Sequence, residues 1–181
     1  MHLHFQKILL LAINLVCGGA VIFSYIYCLA RNPQTGGALW GEVPKSLMPI
    51  YTASMFAAAA GYLLFSFYII FKLDPDTARV AGFGYWIFSL IYLLILVPSA
   101  LWMPFTFSMI ENPSAVTWII IRVVLATVGI ASICMLASIL RASPRAEGPS
   151  FVIAIIGCAL FCIQTAVLDA IVWTGYFPVK Y

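Results

Sequence analysis

The chain has 181 residues, 64% of them hydrophobic and only 8% charged, with a mean hydropathy of +1.08. A soluble domain carries about 25% charged residues, so a water-facing surface around a single core is excluded. The formal charge of +3 is spread out, with no basic run to hold a nucleic acid and no acidic tail. A membrane helix takes about 20 apolar residues, so residues 1–181 are read as one all-α domain, an integral membrane bundle of five spans.

The first span is expected over about residues 5–30, stopped by Arg31-Asn32-Pro33. It lacks a small-residue cleavage site, so it reads as a retained helix rather than a signal peptide. The next connection, Arg31–Ser46, is the longest and is apolar for a loop; Trp40 suggests that it rests on the membrane surface. The second span is expected over residues 47–71, ended by Lys72-Leu73-Asp74-Pro75-Asp76, and the third over 80–102, with Pro98 inside its last turns and Pro104 beyond it. Phe105–Pro113 then turns the chain into a fourth span over 114–140. A polar stretch from Arg141 to Pro149 leads to a fifth over 150–176. The side of the amino terminus holds Lys7, Lys72, Arg79, Arg141 and Arg145, against Arg31, Lys45 and Lys180 opposite. That bias places the amino terminus in the cytoplasm.

Two ionisable residues stand inside spans, where a charge costs several kcal/mol. Arg122 is nine residues after Pro113, and Asp169 nine before Pro178; both therefore lie about 13 Å in from one face. An Arg122–Asp169 ion pair across spans 4 and 5 is expected. It either locks two helices or lines a polar cavity, with Gln164, Asn14 and Thr52 as candidates for the same network. Ala53, Ala57 and Gly61 form a small-residue stripe suited to close packing, within the bundle or in a homodimer.

Trp40, Trp102, Trp118 and Trp173 fall near the face bearing the long loop, and Trp86 near the other. This is the pattern of an interfacial belt or of an aromatic pocket for a flat apolar ligand. The five cysteines sit in apolar stretches without metal-ligand spacing, and His2 and His4 read as an incidental exposed pair, so no metal and no bound cofactor are expected. No P-loop, nucleophile elbow or metalloprotease motif is present, so catalysis has no positive support. An enzyme acting on a lipid or pigment would have to rely on Asp169 or Glu111 as acid or base.

Three patches resemble the tryptophan-rich sensory protein/translocator protein (TspO/MBR) family. They are Pro49-Ile50-Tyr51-Thr52 followed by Ala60-Gly61-Tyr62-Leu63, Ser99-Ala100-Leu101-Trp102-Met103-Pro104-Phe105, and Leu168-Asp169-Ala170-Ile171-Val172-Trp173. The chain departs from the family at Glu42-Val43-Pro44-Lys45, where the family has a double proline and tryptophan. Tyr51 replaces its span-2 tryptophan and Asp169 its span-5 asparagine. The resemblance implies a five-helix bundle, often dimeric, that binds porphyrins, sterols or similar flat molecules beneath the first loop. Val172, Tyr176 and Lys180 also match a loose cholesterol-recognition pattern.

The function expected is a membrane-embedded receptor, sensor or carrier for a flat hydrophobic small molecule, surrounded by membrane lipids. Tyr51, Thr52, Trp102, Asp169 and Trp173 would form its site. The competing reading is a structural or assembly subunit of a larger membrane complex.

Overall fold

The described residues hold five helices, each long and apolar enough to cross a membrane. The protein's structure, a computed structural model, describes residues 4–178; His2 and Lys180 lie outside them. The elements are α1 (Phe5–Arg31), a 3₁₀ turn (Gly36–Trp40), α2 (Met48–Lys72), β1 (Arg79–Val80), β2 (Phe83–Gly84), α3 (Trp86–Glu111), α4 (Ala115–Arg141), β3 (Ala142–Ser143) and α5 (Pro149–Cys162). The fifth span continues from α5 through a π-helix (Ile163–Trp173) into a short α6 (Thr174–Tyr176).

The helices do not pack in chain order. α1 lies on α3, α3 on α4, α4 on the fifth span and the fifth span on α2, while α1 and α2 barely approach each other. Glycine allows the tightest of these crossings. A Cβ on Gly157 would lie 2.8 Å from the Gly61 carbonyl oxygen and 3.0 Å from the Gly61 Cα. The span-2 stripe thus serves, at Gly61, an approach of α2 to α5 within one chain. Gly129 of α4 likewise meets the π-helix at Ala166, whose Cα would be 2.9 Å from an added Cβ.

The third span differs from its expected bounds at both ends. It starts at Trp86 because residues 79–84 form a hairpin, and it runs to Glu111 through both Pro98 and Pro104. In lipid, unlike water, a broken turn has no competing solvent, and neighbouring hydroxyls re-satisfy backbone groups beside a proline. The Ser99 and Thr106 hydroxyls donate to the Ile95 and Trp102 carbonyls, at 2.7 and 2.8 Å, one and two residues beyond the Leu94 and Ala100 carbonyls that the prolines leave without an N–H donor. Residues 105–111, expected as a turn, are helical, and the chain reverses at 112–114.

The end of the bundle that holds the amino terminus is tied by loops and tyrosines. β1 pairs antiparallel with β2 and with β3, giving a sheet ordered β2-β1-β3 that joins the second and fourth connections. Ala81 and Gly82 turn the hairpin with φ of 50° and 91°, the left-handed pair that matches strand twist. His4 Nδ1 accepts the Gln6 N–H at 3.2 Å and so caps α1, while its Nε2 lies 3.0 Å from Asp76. This histidine, read from sequence as incidental, fastens the first helix to the second connection. Tyr92 donates to Ser66 Oγ (2.6 Å), Tyr85 to the Ile69 carbonyl (2.8 Å) and Tyr62 to Asn14 Oδ1 (2.5 Å). Burial pushes the Tyr85 phenol well above its ordinary pKa, so it remains a neutral donor. Asn14 thereby serves the α1–α2 contact.

Candidate functional site

The opposite end is closed by the first loop. Its 3₁₀ turn sets Trp40 edge-on to Tyr51, with ring centroids 6.1 Å apart. Gly41 follows with φ of 56°, and an added Cβ there would come within 3.0 Å of the Tyr176 carbonyl oxygen; only glycine suits both the backbone and the space. The Glu42 N–H donates to that carbonyl at 2.8 Å, and the Trp173 indole N–H donates to the Leu39 carbonyl at 2.8 Å. The loop is thus pinned to the end of the fifth span.

Beneath it the aromatic side chains gather. Trp173 contacts Trp102 at 5.7 Å, Trp118 at 6.3 Å and Phe177 at 4.7 Å, and Tyr25 of α1 adds an edge contact to Trp102 at 5.9 Å. Four of the five tryptophans therefore share one cluster, while Trp86 stands exposed at the far end. Trp102, expected at the end of its span, is nine residues from the end of α3, about 13 Å along the axis.

Below the rings the fifth span carries polar side chains on a π-helix. In an α-helix, residues five apart point about 140° away from each other. The wider i→i+5 turn stacks them, and Gln164 Nε2 donates to Asp169 Oδ1 at 2.8 Å. Tyr51 donates to the Leu168 carbonyl at 2.7 Å. The Tyr25 and Tyr51 phenols are both within electrostatic reach of the Asp169 carboxyl group. Two buried polar atoms in this region, Trp102 Nε1 and Gln164 Oε1, have no hydrogen-bond partner among the described residues. One is a donor and the other an acceptor.

Of the expected site residues, Tyr51, Trp102, Asp169 and Trp173 come together here. Thr52 does not: one residue further round α2, it is exposed and its hydroxyl donates to its own helix at Met48. The expected Arg122–Asp169 ion pair is also absent. Among the described residues the ion pairs are His4–Asp76 and Arg145–Glu147. Equal depth does not set direction: Asp169 turns to Gln164, whereas Arg122 is exposed and borders Ile171 and Thr174. The missed contributors are Tyr25, Phe177 and the five-residue Gln164–Asp169 partnership. Only an assumption of π geometry would have found the last. Among the described residues, no three His, Cys, Asp or Glu side chains gather as metal ligands.

Fold and composition define the chain as a multi-pass integral membrane protein. No protein-family model, curated protein or solved structure matches it.

Proposed function

We propose that this protein binds a flat, mostly apolar molecule carrying one polar group, such as a porphyrin or a sterol, and acts as a membrane receptor, sensor or carrier. The observation that carries this reading is a pair of buried atoms without a partner among the described residues, Trp102 Nε1 within the aromatic cluster and Gln164 Oε1 beside Asp169 below it. A buried polar atom without a partner costs about 1–3 kcal/mol. A ligand that accepts from the indole and donates to the amide oxygen removes both costs, while its apolar body lies against Tyr25, Trp102 and Trp173. The first loop, pinned over the cluster, excludes water from the bound molecule. The resemblance of three sequence patches to the TspO/MBR family points to the same ligand class.

The test is titration of purified protein with protoporphyrin, read as the shift of the porphyrin's own absorption band, so that loss of a tryptophan does not remove the signal. Saturable binding is expected, weakened about tenfold by Trp102→Phe or Gln164→Leu, the scale of one buried hydrogen bond. The same experiment run with a sterol uses displacement of the porphyrin. Absence of saturable binding, or binding indifferent to both substitutions, sinks this site.

A further inference from the structure

Arg122 lies outside the aromatic cluster and needs its own account. It is seven residues into α4, about 10 Å below the start of that helix. Around it a cleft of about 500 Å³ runs between α4 and the end of the fifth span, lined by Trp118, Ile171, Thr174, Gly175 and Phe177. Trp118 is one turn nearer the start of α4, and Thr174, Gly175 and Phe177 come after Ile171 on a span running toward the same face. The cleft therefore opens at the membrane surface and has Arg122 at its deep end.

Among the described residues Arg122 makes no ion pair and no side-chain hydrogen bond, and the arginines that lie over aromatic rings are Arg31 and Arg145. An arginine cannot shed its proton to escape the cost, and an uncompensated charge at this depth costs several kcal/mol. Something from the surroundings must meet it. The planar fork of five N–H donors fits two oxygens of a phosphate at once.

The walls select the rest of the ligand. Trp118 and Phe177 stack with centroids 5.5 Å apart at 15°, and Gly175 leaves open space where a side chain would stand. Ile171 lines the cleft and is 67% exposed, offering apolar surface that a free anion cannot use. We infer that the Arg122 cleft binds the phosphate of an anionic membrane lipid, with the acyl chains running down past Ile171. This site shares Trp118 and Phe177 with the aromatic cluster but none of Tyr25, Trp102, Gln164 or Asp169, and it does not depend on a ligand bound there.

The experiment equilibrates the full chain in micelles holding equimolar phosphatidylglycerol and phosphatidylcholine, and counts retained lipid by native mass spectrometry. Phosphatidylglycerol should be retained over phosphatidylcholine. Arg122→Gln should lower that preference about tenfold, the scale of a charge-assisted hydrogen bond. Arg122→Lys, which keeps the charge and loses the fork, should fall between and serves where the glutamine variant does not fold. Equal retention of the two lipids by the unaltered protein, or a preference unchanged in both variants, overturns the proposal. Displacement of phosphatidylglycerol by inorganic phosphate at matched concentration overturns the lipid as the source, and resistance to it supports the lipid.

Discussion

The two ends of this bundle treat polar groups in opposite ways. At the sheet end, Tyr62, Tyr85 and Tyr92 all donate to acceptors on neighbouring elements, and the unpartnered buried atoms there, Ser89 Oγ and Gln6 Oε1, are neutral. At the loop end stand an aspartate with one amide donor and an arginine with no described partner. A neutral hydroxyl in lipid is satisfied by one hydrogen bond, whereas an ionisable group needs several or an opposite charge. The sheet end is built to hold helices together, and the loop end leaves chemistry open for something else to complete.

Both ends share the glycine crossing of α2 and α5, and breaking it is the most severe test of how far they are independent. Gly157→Leu should cost about 3 kcal/mol, since the clash is with backbone that cannot rotate away. Detergent unfolding followed by tryptophan fluorescence at the loop end and by amide exchange at β1–β2 should show both ends failing together. Failure of one alone would make them separate units. A smaller effect sharpens the contrast. Tyr92→Phe, which strips Ser66 of its donor, should destabilise by about 1 kcal/mol. Asp169→Asn keeps an acceptor for Gln164 and removes the ionisable group, and should cost nothing or stabilise. Equal losses would erase the distinction between the ends. The smallest expected effect is a coupling near zero. Arg122→Leu and Asp169→Leu, measured singly and together, should add within about 0.5 kcal/mol, as unlinked sites do. A larger coupling would restore the ion pair that the structure lacks.

Five helical spans were legible because length and hydropathy are one-dimensional quantities. What was lost depends on direction. In water an apolar stripe marks the inward face of a helix, but in lipid both faces are apolar. Nothing along Trp118-Ile119-Ile120-Ile121-Arg122 says that Arg122 points outward. The same flatness hid Thr52, outward beside an inward Tyr51. Pro104 misled for a different reason: proline is a stop signal calibrated on solvated helices, whereas Pro98 stands inside the span as expected. The π-helix lacks proline and glycine altogether, and its partnership of residues five apart is invisible to any count that assumes 3.6 per turn.

The order in which the helices pack, α1–α3–α4–α5–α2, has a consequence for how the protein is made. Ribosomes deliver spans in chain order, yet the first two share almost no backbone packing, and Tyr62–Asn14 is the side-chain hydrogen bond between them. Each must wait in the bilayer, α1 for α3 and α2 for the fifth span. The nascent hairpin is therefore a pair of lipid-solvated helices, and the bundle closes only when the fifth span brings Gly157 opposite Gly61.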